Sequence, residues 1–203
     1  MLDNYKVNQD GVIYQVETKP FDYNFKYANN YTAYDDSMSY LRLGHLIGAI
    51  GSIPNSILDV GYGSGSFLKV AAKIIDNCCG NDISNYSIPP GCTFVENILD
   101  DHYDVITFFD SLEHFPTIDW VEQLNCNHVV ISLPNCHYFD DQWFEQWKHR
   151  KPDEHLWHFN ESALLKFMSR MGYKPLYVGN VEDTIRKYQV GVSNILTGVF
   201  EKQ

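Results

Sequence analysis

Short runs of apolar residues alternate with helical patterns along most of the chain. Four of the residues between positions 43 and 50 fall on one helical face, and so do Leu164, Phe167, Met168 and Met171. Seven runs predict strands, at residues 57–60, 78–82, 92–95, 104–109, 128–132, 176–178 and 195–200. Most of these runs are apolar along their whole length, which is typical of parallel strands covered on both faces. The pattern predicts an α/β fold with a doubly wound sheet of seven strands.

The first 34 residues depart from this alternation. They are polar and rich in tyrosine, without sustained periodicity. We therefore expect residues 1–34 to form an arm or lid, and residues 35–203 to form the domain. A second departure lies between Asp82 and Thr93, where ten residues include Pro89-Pro90-Gly91. This segment is too short and too broken for a helix, so one helical layer is trimmed. A homodimer would cover the sheet face that this leaves open.

Composition narrows the classes of partner. The chain has 203 residues and a formal net charge of −11, which disfavours nucleic acid and anionic membrane surfaces. No apolar stretch approaches the roughly 18 residues of a membrane span, and the first residues do not resemble a secretory signal. We expect a soluble cytoplasmic protein. The five cysteines form no Cys-x-x-Cys pair and are interpreted as small core residues.

A glycine cluster after the first predicted strand carries the main chemical signal. It reads Asp59-x-Gly61-x-Gly63-x-Gly65, and a helical pattern follows. Glycines at such a turn let a ligand approach the backbone closely. A dinucleotide-binding turn would need Gly or Ala at position 66, where this chain has Ser66. Asp82 ends the second predicted strand, where a carboxylate can accept hydrogen bonds from both ribose hydroxyls of a nucleoside.

These motifs resemble the class I S-adenosylmethionine-dependent methyltransferases, in the branch of the ubiquinone-biosynthesis O-methyltransferases. The glycine turn resembles their first motif and residues 80–84 their second. Residues 103–114, which end in Leu-Glu-His, resemble their fourth-strand motif, and residues 132–135 and 152–159 resemble later segments. The resemblance covers about residues 40–203. It implies a Rossmann-like sheet that is mostly parallel and whose last strand is antiparallel.

The resemblance also implies a cofactor site for S-adenosylmethionine, with S-adenosylhomocysteine as product. The residues it assigns to that site are Arg42, Asp59, Gly61, Tyr62, Gly63, Gly65, Asp82, Ile83, Asn97, Ile98, Phe109 and Asp110. Arg42 would bind the cofactor carboxylate, and Asn97 would accept from the adenine amino group in place of the usual aspartate. Phe109 and Asp110 would border the methionine portion. His114 and His158 are the candidate general bases.

The implied function is in-line transfer of a methyl group to a small-molecule acceptor. A catalytically silent cofactor-binding or scaffold protein is the alternative. A nicotinamide-dependent oxidoreductase is disfavoured by Ser66 and by the absence of a Tyr-x-x-x-Lys motif. His149, Glu154, His155 and His158 also suggest a metal site, but Pro152 argues against a regular helix there, and we expect no metal. The tryptophans at 143, 147 and 157 either line an acceptor pocket or seal the core.

Overall fold

The computed structural model of the protein describes residues 2–21, 35–84, 86–186 and 191–203. The strands of these residues, in chain order, are β1 (Tyr5–Val7), β2 (Ile13–Gln15), β3 (Ser56–Val60), β4 (Asn77–Asn81), β5 (Thr93–Phe94), β6 (Tyr103–Phe109), β7 (Cys126–Pro134), β8 (Trp157–His158), β9 (Tyr173–Gly179) and β10 (Ile195–Lys202). The α-helices are α1 (Asp35–Ile50), α2 (Ser66–Ala71), α3 (Asp141–Gln146) and α4 (Glu161–Arg170).

The seven predicted strands form one sheet in the order β5-β4-β3-β6-β7-β10-β9. The five strands from β3 to β7 pair in parallel with their neighbours. β10 runs antiparallel to both β7 and β9. The predicted fold class, a mostly parallel doubly wound sheet with an antiparallel last strand, is confirmed. Because the carboxyl ends of β3, β4 and β6 lie at the same edge, the turns that follow them meet there.

Each face of the sheet supports its own core. Ile57 and Leu58 are both fully buried, and the alternation of side chains along β3 sends them to opposite faces. Ile57 joins a cluster with Leu46 of α1 and Phe67 of α2. Leu58 joins a cluster with residues of α4, including Phe167. The helical faces predicted around Leu46 and Phe167 are thus the faces that cover the sheet.

The connection between β4 and β5 has no helix among its described residues, 82–84 and 86–92, as the sequence predicts. Instead, the segment folds back over the glycine turn. Pro89 packs so closely on Gly65 that a Cβ atom there would lie 2.5 Å from the proline ring. The trimmed connection therefore helps to shape the turn that follows β3.

A small antiparallel sheet of order β1-β2-β8 was not predicted. Tyr5 and Ile13 from its first two strands are buried against Phe144 and Trp147. The beginning of the expected arm is therefore packed into the fold, and its role as a lid stays a prediction. The rest of the expected arm, residues 22–34, lies outside the described residues. Among the residues described, no helix has the length and apolar character needed to cross a membrane.

Candidate functional site

The turn after β3 brings three glycines to the carboxyl edge of the sheet. Gly61, Gly63 and Gly65 have φ values of 80°, 52° and 74°, in the left-handed region that favours glycine. A Cβ atom on Gly61 would lie 2.6 Å from that of Ser111. Gly63 differs, because nothing lies within 4 Å of the position a Cβ atom would take. Gly63 is therefore the glycine that borders open space.

Asp82 holds this turn from the end of β4. One carboxylate oxygen accepts the Gly63 N–H at 2.7 Å, and the other accepts the N–H and hydroxyl of Ser84. Next to it, the apolar side chain of Ile83 is 78% exposed. Tyr62 is buried, and its hydroxyl donates to the backbone oxygen of Tyr86. The edge thus combines open space, a carboxylate and an exposed apolar surface.

Asp59 lies beneath the turn, within the sheet. Its side chain is buried, and it accepts a hydrogen bond of 2.7 Å from the hydroxyl of Thr107 on β6. Burial raises the pKa of Asp59 to about 6, although the bond from Thr107 acts in the opposite direction. This carboxyl group is therefore poised to change charge just below neutral pH.

Four charged residues form a network at the ends of β6 and β7. Arg42 on α1 donates to both oxygens of Glu182, at 2.7 and 3.0 Å, and to Asp110 at 2.8 Å. Arg186 donates to the same two carboxylates, at 2.7 Å for Asp110 and 3.0 Å for Glu182. Burial alone would raise the pKa of Asp110, but the guanidinium groups of Arg186 and Arg42 outweigh it and hold the pKa well below its usual range.

The network places Arg42 beside Phe109 and Asp110, as the resemblance implies. The guanidinium carbon lies 4.4 Å from the centre of the Phe109 ring. Arg42 is nevertheless bound to two protein carboxylates, which the sequence did not indicate. Its partner Glu182 lies 140 positions away along the chain, and no local motif connects that residue to Arg42.

Asn97 and Ile98 follow β5. The Asn97 amide nitrogen donates to Asp100 at 2.5 Å, and its amide oxygen accepts the Leu99 N–H at 3.2 Å. The side chain is thus engaged within its own turn. Ile98 is partly buried and packs against the core on the α4 face. The role of Asn97 as the adenine acceptor stays a prediction.

The two candidate bases have different surroundings. His114 ends a 3-10 turn, Leu112–His114, and its ring lies 4.7 Å from that of His155, centre to centre. His158 on β8 is buried among the rings of Tyr5, Phe144 and Trp147. Burial is the largest cause that lowers the pKa of each imidazole to about 3. The turn that carries His114 packs against β8, which carries His158, and His155 further lowers the pKa of both imidazoles.

An aromatic cleft opens near the carboxyl end of β7. It has a volume of about 350 Å³ and is lined by His137, Phe139, Trp143, Gln146, Trp147, Val192, Ser193 and Asn194. Trp143 and Trp147 stack with ring centres 5.4 Å apart, and Phe139 is 66% exposed. Two of the three tryptophans singled out in the sequence therefore line a cleft, whereas Trp157 stacks on Tyr14 in the small sheet.

Comparison with known families decides the class of protein. Residues 34–178 match the model of a family described as a methyltransferase domain. The chain belongs to that family. This methyltransferase domain is also 32% identical over 66 residues to an uncharacterized protein of Acanthamoeba polyphaga mimivirus. The match covers 30% of the chain and 49% of the viral protein, so it spans about half the length of this curated relative.

Solved methyltransferases share the fold of this methyltransferase domain. An S-adenosylmethionine-dependent methyltransferase from Mesorhizobium loti superposes with a TM-score of 0.59 at 15% identity, covering 80% of this chain and 98% of that one. A magnesium protoporphyrin IX methyltransferase from Synechocystis, with bound S-adenosylhomocysteine, superposes with a TM-score of 0.58 at 16% identity. The match covers 91% of this chain and 90% of that one. A 1,6-didemethyltoxoflavin-N1-methyltransferase from Burkholderia thailandensis superposes with a TM-score of 0.59 at 12% identity, covering 98% of this chain and 99% of that one.

Proposed function

We propose that the protein transfers a methyl group from S-adenosylmethionine to a small-molecule acceptor. The observation that carries this proposal is the edge formed by the glycine turn, Asp82 and Ile83. Relatives of this fold include structures with bound S-adenosylhomocysteine, which is the product of that cofactor. The chemistry of the edge residues supports the same ligand.

The adenosyl half of the cofactor fits Asp82 and Ile83. Asp82 lies at the end of β4 and offers carboxylate oxygens to the ribose hydroxyls. Ile83 presents an exposed apolar surface on which a purine ring can pack. The open space beside Gly63 allows the ligand to lie close to the backbone of the turn. Asn97 would accept a bond from the adenine amino group with its amide oxygen, which here accepts the Leu99 N–H.

The methionine half would lie toward Phe109 and Asp110 at the end of β6. Arg42 lies above the Phe109 ring and would donate hydrogen bonds to the cofactor carboxylate. Its charge is also paired with Asp110 and Glu182, and Arg186 adds a second guanidinium group beside these carboxylates. Asp59 lies under the glycine turn and contributes negative charge when it is ionised. Gly61, Gly65 and Tyr62 shape the turn, and their contacts with the cofactor stay a prediction.

The transfer itself is a single displacement. The acceptor atom forms a bond to the methyl carbon while the bond from that carbon to sulfur breaks, and the bonding electrons stay on sulfur as the neutral thioether of S-adenosylhomocysteine. Alignment of donor and acceptor supplies about 7–11 kcal/mol of such a barrier. An acceptor hydroxyl would also lose a proton, for which His114 and His158 remain the predicted bases.

The aromatic cleft is our candidate for the acceptor. Its volume of about 350 Å³ lies within the range of small-molecule sites. The stacked rings of Trp143 and Trp147 favour a flat, largely apolar acceptor, and Ser193 and Asn194 add polar atoms at the rim.

Calorimetric titration of S-adenosylmethionine, S-adenosylhomocysteine and NAD into ligand-free protein tests which cofactor the protein binds. We expect the first two to bind and NAD not to bind. Asp82→Asn should weaken binding about 5- to 150-fold, because each lost hydroxyl bond contributes about 0.5–1.5 kcal/mol. Asp101→Asn, at an exposed acid before β6, is the matched control and should bind as the wild type does. Binding of NAD alone, or equal binding by Asp82→Asn, would contradict the site.

A catalytically silent cofactor-binding protein is the second candidate function. It is favoured by the bond from the Leu99 N–H to the Asn97 amide oxygen, because that oxygen is the atom expected to accept from the adenine amino group. A screen of flat aromatic acceptors with radiolabelled methyl donor distinguishes the two. Labelled product supports the enzyme, whereas tight cofactor binding without product across the screen supports the silent protein.

A further inference from the structure

Three potential metal ligands meet next to the end of β6, and only His155 among them is one of the four residues considered from the sequence. Glu113 and His114 belong to the 3-10 turn Leu112–His114, and His155 precedes β8. One ligand atom from each residue lies within 4.8 Å of the other two. The segments are joined by a backbone bond of 2.8 Å from the Leu156 N–H to the Glu113 carbonyl oxygen. The cluster is therefore held by the backbone.

Glu113 is the strongest indication of a cation site at this cluster. The residue is 1% exposed, and neither carboxylate oxygen has a hydrogen-bond partner among the described residues. Burying a polar group without a partner costs several kcal/mol on some scales, and buried polar atoms in proteins are almost always paired. A bound cation would satisfy both the charge and the unused oxygens of this side chain.

His155 points to the same conclusion. It is 5% exposed, and its Nδ1 atom has no hydrogen-bond partner within the part of the chain that is described. Its Nε2 atom lies 3.5 Å from Glu154, which in turn pairs with Lys151 at 2.7 Å. A carboxylate at one ring nitrogen of a metal-binding histidine commonly fixes the ring and leaves the other nitrogen for the metal. Here that other nitrogen is Nδ1.

The donor set selects the class of cation. Two imidazoles and one carboxylate are a common ligand set of Zn²⁺ sites that keep a position open. Mg²⁺ and Ca²⁺ prefer sites built from oxygen alone. Ligands held at about 2.1 Å from one ion lie at most about 4.2 Å apart, so each of the three atoms needs to move by less than about 1 Å.

We propose that Glu113, His114 and His155 bind one divalent cation of the Zn²⁺ class. Three protein ligands leave a coordination position for water or for an oxygen atom of a ligand. The site goes beyond the proposed methyl transfer, since neither cofactor binding nor the displacement requires a metal. The His114 nitrogen that binds a cation cannot also accept a proton, so His158 is the predicted base of the metal-bound protein. His149 and His158 are not part of it: His149 pairs with Asn194 at 2.9 Å, and His158 is enclosed by aromatic rings.

Titration of ZnSO₄ into untagged, chelator-treated protein without S-adenosylmethionine tests the proposal. We expect one equivalent to bind. Glu113→Gln and His155→Ala should each weaken binding at least about tenfold, because even outer-shell partners of metal sites contribute that much. His102→Ala removes an exposed imidazole and is the matched control. Absence of one-to-one binding by the wild type, or unchanged binding by both ligand variants, would overturn the site.

Thermal unfolding provides a second measurement that does not depend on calorimetry. Zn²⁺ should raise the Tm of the wild type and of His102→Ala, because a ligand that binds only the folded state stabilises it. It should leave the Tm of Glu113→Gln unchanged, and circular dichroism checks that this near-isosteric variant folds. An equal rise in all three proteins would overturn the proposal. S-adenosylmethionine titrated into the same samples separates failure of this site from failure of the cofactor site.

Discussion

Asp59 couples the stability of the fold to pH through one buried carboxyl group. Its pKa is about 6 in the folded protein against 3.8 as the ordinary value, so the folded state holds its proton more tightly than the unfolded state does. Stability therefore falls as the pH rises through this window.

We expect Asp59→Asn to remove this dependence, because an amide carries no charge at any pH. The two proteins should have the same free energy of unfolding near pH 4. At pH 7 the wild type should be less stable than the variant by up to about 3 kcal/mol. Urea unfolding of both proteins at several pH values between 4 and 7 measures the difference. A constant difference over this range would contradict the raised pKa.

At the scale of elements, the charged network connects α1 to the sheet by hydrogen bonds from Arg42. Arg42 belongs to α1, Asp110 follows β6, and Glu182 lies in the 3-10 turn Val181–Thr184. Glu182 is fully buried and also accepts a bond of 2.5 Å from Ser132 on β7. Elements that are distant along the chain therefore share one buried set of charges next to the proposed cofactor site.

Arg42→Ala should destabilise the protein by about 3–5 kcal/mol, because removal of one partner leaves buried charge uncompensated. Lys174→Ala is the control, since Lys174 and Glu201 form an exposed pair at 2.8 Å that contributes less than about 1 kcal/mol. Denaturant unfolding compares the two variants. Equal, small losses would show that the network adds little to the fold and that Arg42 is available to a ligand.

At the scale of the whole molecule, the small sheet ties the beginning of the chain to the segment before α4. Tyr5 is 5% exposed and meets the Phe144 ring edge-on, with centres 5.1 Å apart. Asp10, also buried, accepts bonds of 2.6 to 3.2 Å from Arg170 at the end of α4. These contacts are those of a packed element rather than of a detachable lid.

Tyr5→Ala should therefore cost about 3–5 kcal/mol, the usual loss for a large buried aromatic side chain. Tyr40→Ala, at a side chain that is 54% exposed, is the matched control and should cost far less. Thermal unfolding of the two variants and the wild type measures these losses of stability. If Tyr5→Ala keeps the stability of the wild type, the packing of Tyr5 adds little to the fold and the first strands are only loosely attached.

The large sheet could be predicted from the sequence because each of its buried strands is a separate apolar run. The small sheet could not, because β1 and β2 have three residues each, which is too short to show an alternation. The glycine turn and Asp82 were found because their spacing is local. Glu182 and the pairing of Glu113 with His155 were missed because only the fold brings these distant residues together.

The position of β10 has a consequence for how the protein is made. This strand is the last along the chain, yet it lies inside the sheet, between β7 and β9. On the ribosome, β7 therefore presents an unpaired edge, and β9 has no neighbour to join, until residues 195–202 have emerged. Unpaired edges of this kind invite pairing between nascent chains. The methyltransferase domain thus completes its sheet only after residues 195–202 have left the ribosome.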